Sequence, residues 1–129
     1  MGRAVLLRHE LPDGSAHFDW MIQRAGGLVT FRVSERIDLG LGGFRAERLP
    51  DHREAYLEYE GPVSGGRGTV RRIADGSLEI IAERENLFEC RGCLGKAEGR
   101  FRGRSEGDRW VFEFEAAGGG RAGRDEPVG

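Results

Sequence analysis

Apolar and polar residues alternate with a period of two along most of the chain, which is the spacing of half-buried β-strands. Helical spacing is nearly absent, and 22 glycines divide the sequence into short segments. The alternation predicts strands over residues 3–8, 16–24, 28–33, 55–60, 68–73, 78–84, 97–104 and 109–115. We therefore expect an all-β protein.

Two short segments have the composition of tight turns between these strands. Asp75-Gly76 is typical of a two-residue type I′ hairpin turn, and the segment 105–108 indicates a second hairpin. Short strands joined by tight turns favour a small antiparallel β-barrel, because closure of the sheet removes its exposed edges. We predict that the barrel occupies residues 1–115 and that the glycine-rich remainder, 116–129, is a disordered tail.

The overall charge gives no general attraction for a polyanion, because 20 basic side chains stand against 22 acidic ones and the net charge is −2. Any contact with phosphate must therefore be local. Arginines cluster at positions 67, 71 and 72 and again at 100, 102 and 104. Such clusters line solvated strand faces more often than they bind a ligand.

The sequence contains no sign of a membrane or export segment. No apolar run approaches the roughly 20 residues that cross a bilayer, and the first residues lack the long apolar region of a signal peptide. We expect a cytoplasmic monomer without membrane contact.

Cys90 and Cys93 form a C-x-x-C segment without a second cysteine pair. A zinc site would need two further ligands, and a thioredoxin-like redox motif would lie near a βαβ pattern. In a reducing compartment we expect neither a disulfide nor a metal at this pair. We place the two thiols in a turn around Gly92.

The strand over residues 16–24 separates polar from apolar side chains. Its core side carries Phe18, Trp20 and Ile22. His17 and Asp19 share the other face with Met21, and neighbours at i and i+2 can both reach one divalent cation. His9 ends the preceding strand and could complete a set of two histidines and one carboxylate. The alternative is that these residues are simply the polar side of an exposed strand.

A second polar segment runs from Asp51-His52 through Tyr56 to Tyr59-Glu60-Gly61. In an extended chain His52 and Tyr56 share a face. The two side chains could therefore offer hydrogen-bond donors opposite the strand that carries His17 and Asp19. A glycine-rich stretch, Gly66-Arg67-Gly68-Thr69-Val70, follows this segment.

These segments resemble the 3′-phosphoesterase domain of bacterial end-joining DNA ligases of the ligase D type. That family carries a first histidine, then H-Y-D-x-R, then D-H-x-x-x-Y-x-x-F-E-G, and then a stretch ending in G-x-G-x-V. The chain offers the matching residues in the same order between Val5 and Asp75, and the match uses all of its 3 histidines.

The resemblance implies that His9, His17 and Asp19 hold a divalent metal ion of the Mn²⁺ type. It further implies that His52 and Tyr56 bind the phosphate that is attacked. The expected activity is hydrolysis at the 3′ ends of DNA or of RNA-primed DNA strands during end repair. Nucleic acid 3′ ends, and a DNA ligase or another end-joining protein, are the expected partners.

The chain departs from the family pattern at Met21, where the family has an arginine that clamps phosphate. Arg45 and Arg48 lie upstream of His52, where the family supplies another phosphate-binding arginine, and they are our candidates for this role. Arg53 and Arg67 are further candidates. The gap from His9 to His17 is also longer than in the family.

Two alternative functions use the same residues. A catalytically inactive module of the same fold would bind nucleic acid ends without turnover, and Met21 favours it. An iron-dependent oxygenase would also use two histidines and one carboxylate, but it leaves the segment from Asp51 to Gly61 without a role. We rank the phosphoesterase first.

Overall fold

The computed structural model describes residues 1–118. Within them lie nine β-strands and two short 3-10 helices. The strands are β1 (Gly2–Glu10), β2 (Ala16–Arg24), β3 (Gly27–Val33), β4 (Phe44–His52), β5 (Gly61–Pro62), β6 (Thr69–Glu83), β7 (Leu87–Leu94), β8 (Ala97–Glu106) and β9 (Arg109–Ala116). The 3-10 helices are η1 (Ile37–Leu39) and η2 (Glu54–Leu57).

The strands form one antiparallel sheet in the order β1-β2-β3-β4-β9-β8-β7-β6-β5. β1 also pairs with β6, so that a ring of 8 strands closes and β5 lies beside it. The prediction of an all-β, barrel-like antiparallel fold is confirmed. Each strand of the ring therefore pairs with a neighbour on both sides, and the pairing between β4 and β9 is the short one, from Phe44 to Ala46.

Aromatic side chains fill the inside of the ring. The Trp20 indole lies 5.0 Å from the ring centroid of Phe101 and 5.3 Å from that of Phe112. Phe31 packs 5.0 Å from Phe112 in an edge-on arrangement, and such pairs contribute stability beyond their buried area. Trp20, Ile22 and the partly buried Phe18 belong to this cluster, as the alternation in β2 predicts.

A second apolar cluster lies outside the ring, between β1–β2 and the segment that contains η2. Its buried members are Val5, Leu7, Met21, Leu28, Leu57 and Val70. Residues 4–7 of β1 are consequently buried on both faces of the sheet. The segment that covers the sheet here forms one wall of the candidate site, and this cluster forms its base.

One predicted strand and one predicted turn are wrong. Residues 55–60 do not form a strand, because the chain turns through η2 instead. The predicted turn at Asp75-Gly76 lies within the continuous strand β6. A Cβ at Gly76 would stand 2.1 Å from the carbonyl oxygen of Cys93. The glycine therefore permits close approach of β7 rather than a reversal of the chain.

The alternation failed to indicate β4 and β7. Arg48 of β4 faces inward, where its guanidinium carbon lies 5.2 Å from the Phe31 ring centroid, and a charged residue at a core position hides the pattern. In β7, Gly92 takes an inward position between buried residues. The predicted turn around Gly92 is wrong, because Cys90 and Cys93 both lie in this strand, the first buried and the second exposed.

The β8–β9 connection agrees with the prediction of a hairpin, since Glu106 pairs with Arg109 and Gly107 has a φ of 66°. β9 extends to Ala116, and most of the predicted tail, 119–129, falls outside the described residues. Among residues 1–118 no helix has the length and apolar character needed to cross a membrane.

Candidate functional site

The two candidate histidine ligands on β1 and β2 are cross-strand partners. The loop 11–15 joins the two strands, and the resulting register places His9 directly opposite His17. Their rings meet edge-on with centroids 4.8 Å apart. Asp19 lies two residues further along β2 and therefore on the same face. Donor atoms of the three residues all lie within 4.8 Å of one another, so the group could hold a metal ion.

The Asp19 carboxylate is buried among groups that do not satisfy it. His17 Nε2 stands 3.5 Å from its Oδ1, His9 Nδ1 stands 3.7 Å from its Oδ2, and Arg32 Nε stands 3.9 Å from Oδ1. All three distances exceed a normal hydrogen bond. Among the described residues, Asp19 Oδ1 and His17 Nε2 are buried atoms without a hydrogen-bond partner. A cation between these atoms would satisfy both.

The tautomer of His9 is set by the glycine-rich loop. Its Nε2 lies 2.6 Å from the carbonyl oxygen of Arg67. Because a carbonyl only accepts hydrogen bonds, Nε2 carries the proton and Nδ1 of the neutral ring carries the lone pair. That lone pair faces the carboxylate of Asp19, which is unfavourable unless a proton or a metal ion lies between them. A backbone carbonyl that orients a metal-ligating imidazole is a common arrangement.

Burial lowers the pKa of His17 below its usual 6.5. The negative charge of Asp19 opposes this shift, whereas the positive charge of Arg32 and the neighbouring His9 act in the same direction as burial. His17 is therefore neutral at neutral pH, and the neutral imidazole is the form that binds a metal ion.

A cavity of about 410 Å³ joins this group to the second polar segment. Its wall includes His9 and Asp19 from the first group and His52 and Tyr56 from the second polar segment. Arg32 and Arg67 also line it. Residues from separate parts of the chain therefore meet in one concave space, which is the arrangement expected of a binding site.

His52 and Tyr56 come together for a different reason from the one that we expected. His52 ends β4 and Tyr56 belongs to η2, so the turn between the strand and the helix, rather than an extended chain, brings the two rings to a centroid distance of 5.6 Å. His52 Nδ1 lies 2.9 Å from the carbonyl oxygen of Pro50 and donates to it. Nε2 is then the nitrogen available to a ligand.

Charged side chains at the end of β4 hold this strand in place. Arg24 Nη2 lies 2.9 Å from Asp51 Oδ2, and Arg24 Nε lies 2.7 Å from Glu83 Oε1. Arg48 Nη2 lies 3.1 Å from Glu83 Oε2 and 3.6 Å from Asp51 Oδ1. Because Asp51 directly precedes His52, this network fixes the backbone from which His52 projects.

The structure does not bring Arg48 to the cavity, because its side chain faces the inside of the barrel. Arg45 also lies outside it, in an adjacent depression that includes His17 and Arg32. The Arg67 guanidinium donates to the carbonyl oxygen of Ser64 at 2.7 Å. Arg53 lines a separate small pocket on the far side of Tyr56.

Arg32 is a cavity residue that the sequence analysis missed. It pairs directly across from Asp19 in the β2–β3 register, and its Nε has no hydrogen-bond partner among residues 1–118. The signal was available in the two-residue turn Ala25-Gly26, since a tight hairpin at that point fixes which residues of the two strands oppose each other.

Comparison with known proteins adds no further assignment: no family model matches the chain, and no curated protein matches it either.

Proposed function

We propose that the protein is a metal-dependent phosphoesterase that acts on the 3′ ends of DNA or of RNA-primed DNA strands in end repair. The observation that supports this most directly is the shared cavity. His9 and Asp19, the proposed metal ligands, line the same space of about 410 Å³ as His52 and Tyr56, the proposed phosphate-binding residues. The resemblance to the ligase D phosphoesterase domain assigns the same two roles to the same residues.

The residues of the metal side fit a divalent ion. His9, His17 and Asp19 would hold it, because a buried carboxylate oxygen and a buried imidazole nitrogen face each other without partners. Mn²⁺ is the ion that we propose on the basis of the resemblance. When bound, such an ion lowers the pKa of a coordinated water and neutralises charge on phosphoryl oxygens.

The remaining cavity residues would position the phosphate. Arg32, whose Nε has no hydrogen-bond partner among the described residues, can donate charge-assisted hydrogen bonds to phosphoryl oxygens. The Tyr56 hydroxyl can donate a hydrogen bond to the same group or to the leaving oxygen. Because His52 Nδ1 donates to Pro50, His52 Nε2 accepts a hydrogen bond in the neutral ring and donates one to the phosphate only in the protonated ring. The Arg24–Glu83–Arg48–Asp51 network limits the movement of His52 relative to the metal side.

A catalytically inactive end-binding module is the second candidate, and the position of Met21 favours it. The family's clamping arginine is replaced here by a methionine that is 1% exposed and packed in the outer apolar cluster. Phosphate binding by Arg32 would then serve recognition without turnover. In either case we propose a cytoplasmic protein that meets nucleic acid 3′ ends together with a DNA ligase or another end-joining protein.

The experiment is a release assay on a primer strand with a 3′-phosphate, with Mn²⁺ or with chelator. The enzyme proposal expects phosphate release with Mn²⁺, its loss with chelator, and its loss in Asp19→Asn and His52→Ala. Asp75→Asn is the matched control, since it removes an exposed carboxylate from β6. Absence of release with any divalent metal, while end binding persists, would contradict the enzyme and support the binding module.

A further inference from the structure

The depression next to the active-site cavity leads away from the metal side across the outer face of the sheet. It has a volume of about 340 Å³ and is lined by His17 and Arg32, and also by Arg45 and Arg109. Because Arg32 lines both spaces, the depression begins where the active-site cavity ends. Glu47 and Asp108 are its acidic residues.

The sheet register places one more arginine, Arg104, beside this depression. Val111 of β9 pairs with Arg45 of β4 on one side and with Arg104 of β8 on the other. The three residues therefore lie side by side on the outer face, and the two arginines are two strand spacings, or roughly 10 Å, apart. We call Arg45, Arg109, Arg104 and the intervening Val111 the arginine groove.

The arginines of the groove differ from their neighbours on the same outer face. Within residues 1–118, Arg45, Arg104 and Arg109 make no ion pair and are exposed. The neighbouring arginines on β7 and β8 are each paired with a glutamate: Arg91 with Glu79 at 3.2 Å, Arg100 with Glu89 at 3.2 Å and Arg102 with Glu89 at 3.4 Å. Among the described residues, the three arginines of the groove thus have no carboxylate partner, unlike Arg91, Arg100 and Arg102 on the same face.

We propose that the nucleic acid strand whose 3′ end occupies the active site continues along the arginine groove, where Arg109 and Arg104 bind its backbone phosphates. This inference rests on the proposed function, and it names the surface that binds the part of the strand outside the active site. Unpaired arginines facing solvent attract phosphates whatever the base sequence. The groove accordingly gives length dependence without sequence preference.

The test compares two double variants that remove the same charge. Arg104→Gln/Arg109→Gln changes the groove, and Arg91→Gln/Arg100→Gln changes two ion-paired arginines outside it. Binding is measured by fluorescence anisotropy with 3′-phosphorylated single strands of 2 and 12 nucleotides over a range of salt concentrations. Thermal unfolding verifies that both variants fold.

The groove variant should bind the 12-mer about tenfold or more weakly, and its salt slope should fall by about 0.7 for each backbone phosphate that is no longer bound. It should bind the dinucleotide as the unmodified protein does, and the control variant should bind both normally. Equal weakening in the two variants, or no weakening in the groove variant, would overturn the groove. A poly-glutamate peptide of equal charge that binds like the 12-mer would show instead that the groove accepts an acidic protein.

Failure of the enzyme proposal is visible separately. If the unmodified protein releases no phosphate but its 12-mer affinity depends on Arg104 and Arg109, the groove stands and the catalytic role falls. If the groove variant releases phosphate from the 12-mer as efficiently as the unmodified protein does, the catalytic role stands and the groove falls.

Discussion

Arg32 lies directly across the β2–β3 pair from Asp19, and its Nε stands 3.9 Å from Asp19 Oδ1. This distance is too long for a hydrogen bond, so the guanidinium is near the Asp19 carboxylate without being hydrogen-bonded to it. Its side chain is 40% exposed and lines both the cavity of the candidate site and the adjacent depression. It therefore has the freedom to turn towards a ligand.

We expect Arg32→Gln to raise the KM for a 3′-phosphate end by at least about tenfold, because a hydrogen bond to a charged group contributes about 1.5–3 kcal/mol. Arg32→Lys should recover only part of the loss, since an ammonium cannot form the paired contacts of a guanidinium. Steady-state kinetics measure both. Arg84→Gln, which changes an exposed arginine just after β6, is the control. An unchanged KM in Arg32→Gln would exclude this residue from phosphate binding.

Asp19→Asn should abolish the stabilisation that Mn²⁺ gives to the native protein. A ligand at 100 times its Kd stabilises the folded state by about 2.7 kcal/mol, so the Tm of the unmodified protein should rise clearly with Mn²⁺. Without metal, the Tm of Asp19→Asn should equal or exceed that of the unmodified protein, because the buried carboxylate lacks a hydrogen-bond partner for Oδ1 among the described residues. A large loss of stability without metal would show that Asp19 has a structural role instead.

Glu83→Gln should destabilise the protein most above about pH 4.5, where the Glu83 carboxyl is ionised. Hydrogen bonding from Arg24 lowers the pKa of Glu83 below its ordinary 4.5, and Arg48 acts in the same direction. A carboxyl with a lowered folded-state pKa adds stability above its unfolded pKa and loses it as pH falls through the folded value. The difference in Tm between the two proteins should therefore be largest above pH 4.5 and shrink at lower pH. A pH-independent difference would contradict the ion pair.

The two thiols should differ in reactivity. Cys93 is exposed, whereas Cys90 is 0% exposed and burial raises its pKa strongly. Since the thiolate is the reactive form, an alkylating reagent should modify one thiol in the native protein and two after unfolding. Mass spectrometry locates the label, and native labelling of Cys90 at the rate of Cys93 would show that β7 opens readily.

The sequence predicted that His9, His17 and Asp19 lie together, because the alternation of apolar and polar residues in β2 governs their placement. In β2 the core requires an apolar residue at every second position, so Trp20 and Ile22 define the inner face and place His17 and Asp19 together on the outer one. Because the loop 11–15 is short, β1 pairs with β2 as its antiparallel neighbour, and this pairing brings His9 opposite His17.

The prediction of turns and strands failed at residues whose role is set by contact with a neighbouring strand. Gly76 and Gly92 look like turn residues, but carbonyl oxygens of the neighbouring strand stand where a Cβ would lie, at 2.1 and 2.2 Å. A charged residue such as Arg48 is expected at the surface, yet its side chain points into the barrel and forms an ion pair with Glu83 at one end of it. These roles depend on strand pairs that are distant in sequence, which local patterns do not report.

The orientation of His9 depends on a peptide group, the carbonyl of Arg67, and not on a side chain. Selection for this orientation of His9 therefore acts on the backbone conformation of the loop, and the constraint applies to the next residue, Gly68. Gly68 has a φ of +95°, and a Cβ there would stand 2.0 Å from the carbonyl oxygen of Glu10. During divergence position 67 can accept many residues, whereas position 68 should stay glycine although it contributes no atom to the chemistry.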